Sequence, residues 1–219
     1  MSKIIKNDNK FQDKIAKLIL PDLINSLYKE GLITDSDLLD KKIVFEKLSS
    51  YMTKNKGNID FEIVVDHRET LIRIAEAESK NGHNEFSIAI YATFIEHTLN
   101  RIVHLACESK KIDKKIQTEI IRSVNIIGKC TWLIKLLDLP AIRQEYIKTI
   151  LTVSDERNSY IHYKWKAEID SDKIPDLEKE KNAEDEKLKK IKSLLRYLKN
   201  YETKLEFKGK KKQIDQIIK

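Results

Sequence analysis

The sequence predicts an all-α protein, and three observations lead to this fold class. Only 5 Gly and 3 Pro occur among the 219 residues, so the tight turns of sheet architectures lack their usual residues. Apolar residues recur three and four positions apart along most of the chain, which is the spacing of amphipathic helices. Charged residues make up 35% of the chain, and they fill the positions between the apolar ones.

Length and composition also exclude several classes of protein. A chain of 219 residues fits one large domain or one and a half ordinary ones. It lacks the roughly 18 to 20 consecutive apolar residues of a membrane span, so no membrane partner is expected. The N-terminus does not resemble a secretory signal, and Cys107 and Cys130 fit no metal motif. We therefore expect a cytoplasmic protein with two reduced thiols.

Residues 1–57 are predicted to form an N-terminal helical module. A first helical segment precedes Pro21, and a second one follows it. Thr34 and Asp37, three positions apart, resemble an acidic variant of the capping box, which predicts that a helix begins here. The Gly57 region breaks this helix and marks the boundary of the module.

Residues 58–206 are predicted to form the main helical bundle. A bunched apolar run at 59–66 is compatible with a strand, but a helix beginning near Asp66 is favoured. That helix stops at the Asn81-Gly82 pair, because glycine suits the left-handed position after a helix. The next helix, about 84–110, carries the most regular apolar stripe of the sequence, namely Ile88, Ala92, Ile95, Leu99, Ile102 and Ala106.

The second half of the bundle is predicted as further helices with one interruption. A helix at 116–124 is followed by a break at Gly128 and a short helix at 132–137. A long helix is expected from about 141 to 165, because Pro140 favours a helix start. After an acidic connector, a final helix extends to about Leu205 and is expected to dock on the bundle rather than pair as a coiled coil.

The net charge of +7 is unevenly distributed. Residues 188–219 carry eleven basic against three acidic side chains, whereas residues 167–187 carry four against nine. Residues 207–219 are predicted to be a basic tail that frays, and such a tail attracts nucleic acid or an anionic membrane unless it is merely a solvated face. The candidate nucleic-acid-binding residues are Lys208, Lys210, Lys211 and Lys212.

Most familiar catalytic signatures are missing from the sequence. It has no phosphate-binding glycine loop, no zinc-protease helix motif, no paired Cys-x-x-Cys and no nucleophile elbow. His97 and His104 stand seven positions apart on one helix face, but no third ligand is evident. The sequence therefore predicts neither a metal site nor a cofactor.

Arg157 is the residue that departs most from its helical pattern. It lies in an apolar stripe with Ile150, Val153 and Tyr160, where the period calls for Leu or Ile. A guanidinium stays charged and is costly to desolvate without a partner. Glu96, which borders the stripe of the preceding long helix, is the candidate partner.

Asn158 and His162 lie four positions apart, so the amide is placed to orient the imidazole by a hydrogen bond. His162 itself lies about 140° around the helix from Arg157. Asp155 and Ser159 invite a Ser-His-Asp interpretation. We discount it, because three side chains projecting outward from a single helix rarely converge into a triad.

The run Arg157-Asn158-Ser159-Tyr160-Ile161-His162 resembles the Arg-x4-6-His motif of the HEPN superfamily. The resemblance covers roughly residues 66–205, and it implies a HEPN-like helical bundle that cuts RNA without a metal ion. It further implies a homodimer with the active site at the subunit interface, acting as a toxin or antiviral defence effector with a possible antitoxin or defence-system partner. Under this resemblance Arg157 and His162 are catalytic, while Asn158 and Glu96 support them.

The residue chemistry agrees with this hypothesis. Attack by a ribose 2′-hydroxyl on phosphorus needs a base, an acid and a cation; histidine supplies the first two near neutral pH, and arginine matches phosphate oxygens. One His162 cannot be base and acid at once, so two copies are needed. Two alternatives stay open: an inactive HEPN-like interaction module, and a nucleic-acid-binding adaptor that uses the basic C-terminal helix.

Overall fold

The fold was examined in a computed structural model, which describes residues 19–55, 66–162 and 177–219. The described residues are helical and contain no strand, so the predicted all-α class is confirmed. The apolar run at 59–66 and the predicted boundary near Gly57 lie outside the described residues, apart from Asp66. The chain divides into two compact units, residues 1–64 with 206–219 and residues 65–205.

The first unit combines both ends of the chain. Its helix α1 covers residues 19–29. A 3-10 turn at Asp37–Leu39, helix α2 at Lys41–Lys54 and helix α10 at Lys211–Ile218 follow. These elements share one buried apolar core, composed of Ile24, Leu27, Ile33, Leu38, Val44, Leu48, Phe207, Ile214 and Ile217.

Thr34 and Asp37 form the predicted box-like contacts but do not begin a long helix. The Asp37 carboxylate accepts from the Thr34 amide at 2.6 Å and from its hydroxyl at 2.7 Å, and Lys47 pairs with the same oxygen at 2.6 Å. These contacts stabilise only the start of the 3-10 turn. Helix α2 begins after Asp40, whose side chain accepts from the Lys42 amide, so the helix start predicted at Thr34 is wrong by several residues.

The C-terminal residues are not a fraying tail. Lys210 pairs with Asp35 at 2.9 Å, and helix α10 begins at the next residue. Ile214 and Ile217 on α10 are buried in the core of the first unit. The prediction failed because it weighed the lysine run and overlooked the apolar pair that follows, three positions apart.

The second unit is a bundle of helices with two apolar cores. Within it, α4 packs against both α3 and α8, and the short helix α6 contacts both α4 and α8. The helices are α3 (Arg68–Lys80), α4 (Asn84–Ser109), α5 (Lys114–Ser123), α6 (Ile126–Cys130), α7 (Trp132–Leu136), α8 (Gln144–Ile161) and α9 (Leu177–Glu206, whose last residue belongs to the first unit).

Helix α4 is the central element of this bundle, and its predicted stripe is confirmed. All six stripe residues, from Ile88 to Ala106, are buried. Further residues of α4 are buried in both cores: Tyr91 lies in the larger core, and Val103 lies in the second core with Leu133 and Leu137. Glu96 lies on this helix, so its backbone position is fixed by the apolar residues on either side of it.

Gly128 was predicted to interrupt a helix, but it lies inside α6. Asn125 caps this helix by accepting from the Gly128 amide at 2.8 Å. A Cβ at this glycine would stand 2.6 Å from the Val124 side chain and 2.8 Å from the Trp132 indole nitrogen. Glycine is therefore required here by close packing, and the chain breaks at Thr131 instead, between α6 and α7.

The two cysteines are free and buried, as expected for thiols. Burial raises the pKa of both Cys107 and Cys130, which keeps them protonated and unreactive. Among the described helices, none combines the length and apolarity needed to cross a membrane.

Candidate functional site

The predicted contact between Arg157 and Glu96 is present at the junction of α8 and α4. The Nη1 of Arg157 donates to a Glu96 carboxylate oxygen, and its Nη2 donates to the side-chain oxygen of Asn158 at 3.2 Å. The Arg157 side chain is 22% exposed. Its Nε is buried and has no hydrogen-bond partner among the described residues, and an unpaired buried donor adds to the cost of placing the guanidinium here.

Lys129 on α6 adds a second cation that sequence reasoning missed. The residue is only 4% exposed. Burial lowers the pKa of its ammonium, and the charge of the Glu96 carboxylate opposes that shift. A buried lysine is rare without a nearby carboxylate, and the Glu96 carboxylate, which pairs with Arg157, is close enough to favour the charged form of Lys129.

We call Glu96, Lys129, Arg157 and Asn158 the Glu96 cluster. Three helices meet in it, because α4 carries the acid, α6 the lysine and α8 the arginine and the amide. The cluster contains two cationic side chains and one carboxylate, so it carries an excess positive charge when its three ionisable groups are charged. Such an excess in a partly buried place attracts an anion such as a phosphate.

His162 ends helix α8 and is exposed to solvent. Its backbone amide donates to the Asn158 carbonyl at 3.0 Å. The predicted hydrogen bond from the Asn158 side chain to the imidazole is absent among the described residues, since that side chain contacts Arg157 instead. Asn158 therefore joins the two motif residues differently from the prediction, through its amide to Arg157 and through its main chain to His162.

The apolar stripe around Arg157 is buried only in its first half. Ile150 and Val153 are buried against the bundle, whereas Tyr160 and Ile161 are 45% and 63% exposed. The last turn of α8 therefore presents apolar side chains beside His162. Exposed apolar residues of this size are typical of contact surfaces when they are grouped.

The histidines outside the motif lie apart from one another or beside a residue of their own helix. His97 is exposed, and His104 lies 3.3 Å from Glu108 on its own helix. In the described part of the chain, no three His, Cys, Asp or Glu side chains lie close enough together to hold a metal ion.

The four candidate lysines of the C-terminus differ in their availability. Lys210 is paired with Asp35. Lys211 pairs with Asp215 at 2.8 Å and lies 4.5 Å from the Phe207 ring centroid. Lys208 and Lys212 are exposed. The structure thus gives two of the four lysines local partners in the first unit and leaves two facing solvent.

Comparison with protein-family models, with curated proteins and with solved structures finds no match to this chain. The functional interpretation therefore depends on the residues themselves. Their arrangement offers a cationic cluster for an oxyanion, and an exposed imidazole at the end of the helix that carries the arginine. These are parts that phosphodiester chemistry without a metal ion requires.

Proposed function

We propose that the chain is a metal-independent endoribonuclease of the HEPN type, with Arg157 and His162 as its catalytic residues. The observation that carries the proposal is the half-buried Arg157, held between Glu96 and Asn158 five residues before the exposed His162. An arginine in that place is costly unless it binds an anion or closes a charge network. In a cell, such an enzyme would act as a toxin or an antiviral defence effector restrained by a partner protein.

In the proposed reaction, two imidazoles and the Arg157 guanidinium each have one task. The 2′-hydroxyl of the ribose loses its proton to an imidazole and attacks the neighbouring phosphorus, which forms a 2′,3′-cyclic phosphate. The departing 5′-oxygen takes a proton from a second, protonated imidazole. Arg157 holds the non-bridging oxygens as charge develops on them, and Glu96 keeps the guanidinium in one orientation.

Two copies of the chain supply the two imidazoles. A two-fold axis at the end of α8 would bring His162 of each subunit to one phosphodiester. The exposed Ile161 beside His162 supports this arrangement, because a dimer contact there would cover an apolar side chain next to the catalytic groups.

An inactive interaction module is the second candidate, and the contact between Arg157 and Glu96 is what favours it. A pair that only closes the bundle would join α8 to α4 without any substrate. This alternative gives His162 no role, and it leaves the excess positive charge contributed by Lys129 without a purpose.

Cleavage of RNA in the presence of EDTA tests the proposed function. We expect cleavage that survives chelation, yields 2′,3′-cyclic phosphate ends and requires a 2′-hydroxyl at the cut. His162→Ala and Arg157→Ala should each reduce the rate by at least about a hundredfold. His67→Ala, which changes an exposed histidine at the start of α3, is the matched control and should cut normally.

Three results would contradict the proposal. One is activity that EDTA abolishes; another is a His162→Ala variant as active as the wild type. The third is a wild-type protein that cuts no RNA in either of two settings. One setting is the purified protein, and the other is a bacterial host whose growth stops when the protein is expressed.

A further inference from the structure

A groove lies beside the end of α8 in the second unit, and the proposed chemistry does not use it. The turn between α3 and α4 forms one side of it, and Tyr160 closes the other. Its volume of about 560 Å³ falls within the roughly 300 to 1,000 Å³ of small-molecule sites. Besides Tyr160, its lining includes Glu78, His83, Glu85 and Phe86.

The backbone of the turn fixes one polar edge of this groove. Gly82 adopts a φ of 84°, which glycine tolerates best, and the chain then folds back so that the His83 amide donates to the Glu78 carbonyl at 2.9 Å. The His83 ring nitrogen Nδ1 also lies 2.7 Å from a Glu78 carboxylate oxygen. The histidine ring and the carboxylate are thus held together at the mouth of the groove.

Two exposed aromatic rings line the groove, one at the start of α4 and one near the end of α8. The centroids of Phe86 and Tyr160 are 6.2 Å apart, and their planes are inclined by 35°. Both residues are more than 40% exposed, so their faces are accessible to a flat ligand. Single-stranded RNA is commonly bound by stacking its bases on such rings.

On the basis of the proposed function, we propose that this groove binds the RNA base next to the scissile phosphate. Tyr160 lies three residues after Arg157 and two before His162 on α8, so one of the two rings and the catalytic groups share the last turns of one helix. Residues three positions apart are neighbours on a helix surface, so Tyr160 and Arg157 lie on one side of α8.

The charge of the groove selects a base rather than a phosphate and favours guanine. Glu78 and Glu85 repel phosphate, whereas their oxygens accept hydrogen bonds from N–H groups. The Watson–Crick edge of guanine presents two adjacent donors, N1–H and N2–H₂, which match one carboxylate. Uracil presents a single N–H between two carbonyl oxygens that a carboxylate repels. We therefore infer cleavage next to guanine in preference to uracil.

Binding to a catalytically dead protein tests this inference separately from cleavage. In the His162→Ala background, we would measure the affinity for single-stranded oligonucleotides that differ only in one central G or U. The Phe86→Ala and Tyr160→Ala changes together should weaken binding about tenfold or more. Glu85→Gln, a conservative change, should remove most of the preference for G over U. Trp132→Ala, which removes an exposed aromatic ring elsewhere in the second unit, is the control and should bind normally.

The outcomes separate the inference from the proposed function. If the active protein cuts RNA but the groove variants alter neither affinity nor the base at the cut, the inference fails while the nuclease stands. If the wild type cuts nothing yet binds G-containing RNA through the groove, the base site stands and the nuclease fails. If the Phe86 and Tyr160 variants instead change the oligomeric state, the groove is a subunit contact and the inference is overturned.

Discussion

Burying the charged Lys129 side chain costs free energy, and the attraction of the Glu96 carboxylate does not offset that cost. Because burial lowers the pKa of its ammonium, the unfolded chain binds more protons than the folded one at alkaline pH, and stability rises with pH in that range. A methionine would keep the apolar stem and remove the charge. We expect Lys129→Met to stabilise the protein by about 1 kcal/mol at pH 7, and this gain should shrink as the pH rises.

Urea denaturation of the wild type and Lys129→Met at pH 7 and at pH 10 checks this prediction. Lys135→Met removes an exposed lysine on the neighbouring helix α7 and should change stability by less than about 0.5 kcal/mol. If Lys129 helps to hold a phosphate, Lys129→Met should also slow RNA cleavage at least about tenfold. A destabilised variant would show that the attraction to Glu96 outweighs the cost of burial.

Asp37 makes the stability of the first unit depend on pH in the acidic range. Its hydrogen bond to Lys47, followed by those from Thr34, lowers the pKa of the carboxyl to about 2. A lowered carboxyl pKa stabilises the fold above the unfolded value, and this contribution is lost as the pH falls from about 4 to about 2. Asp37→Asn should therefore melt at a lower temperature than the wild type at pH 7, and the gap should close by pH 2.

Circular-dichroism melts of the two proteins at several pH values measure this gap. Glu46→Gln is the control, because the Glu46 pair with Lys42 is long, at 3.9 Å, and exposed. A gap that is the same at pH 7 and at pH 2 would contradict the assignment.

The site was partly predictable at the scale of single residues. Arg157 and Glu96 stand out in the sequence because each is a charge at or beside an apolar stripe of a long, regular helix. Lys129 lies on a helix of 5 residues, too short to show a period that an unusual residue could break. The contact between Asn158 and Arg157 was also missed. Helical spacing predicts which residues share a face, but it does not predict which of two neighbours, Arg157 or His162, the Asn158 side chain binds.

At the scale of elements, predictability followed the length and regularity of each helix. Helix α4 has several turns of uninterrupted stripe, and its observed ends at Asn84 and Ser109 lie within a residue of the prediction. The segment around Gly128 was misjudged because glycine there answers a packing requirement made by Val124 and Trp132, which are close in space. The local sequence shows that a glycine is present. It does not show whether the glycine breaks a helix or is needed for its small size.

Helix α10 should contribute strongly to the stability of the first unit. Ile214 is fully buried in its core, so Ile214→Ala should cost about 2 to 4 kcal/mol of unfolding free energy. Leu39→Ala, at a residue that is 84% exposed, should cost far less. Chemical denaturation followed by circular dichroism measures both values, and an equal, small effect for the two variants would show that α10 is dispensable.

This packing bears on the adaptor hypothesis. Deleting residues 207–219 would remove Phe207, Ile214 and Ile217 from a core and would not test charge alone. Reversing the two exposed lysines, Lys208→Glu and Lys212→Glu, leaves the core intact, so loss of salt-sensitive RNA binding in that variant would identify the C-terminal charge as its cause.

At the scale of the whole molecule, the sequence did not reveal that the chain returns to its first unit. Helical periods are local, whereas the joining of residues 206–219 with the N-terminal residues depends on contacts far apart in the chain. One example is the Asn25 amide, which donates to the Glu206 carbonyl at 2.9 Å. The prediction weighed only the local lysine run, and it therefore gave a tail where the structure has a core helix.

Association through the end of α8 is the whole-molecule property on which the proposed enzyme depends. Ile161→Asp would place a charge in the exposed apolar turn beside His162, and we expect it to convert a dimer into a monomer and to abolish cleavage. Leu39→Asp, at an exposed leucine of the first unit, should leave both properties unchanged. Light scattering coupled to size-exclusion chromatography measures the mass, and an Ile161→Asp variant that remains dimeric would exclude this surface as the interface.

Subunit mixing tests most directly whether two copies share one catalytic site. Wild-type chains are refolded together with increasing amounts of His162→Ala chains, and RNA cleavage is measured at a constant wild-type concentration. If each site needs His162 from both subunits, cleavage per wild-type chain falls in proportion to the wild-type fraction, to about one half at equal amounts. Cleavage per wild-type chain that stays constant at every ratio would show that each subunit acts alone and would contradict the composite site.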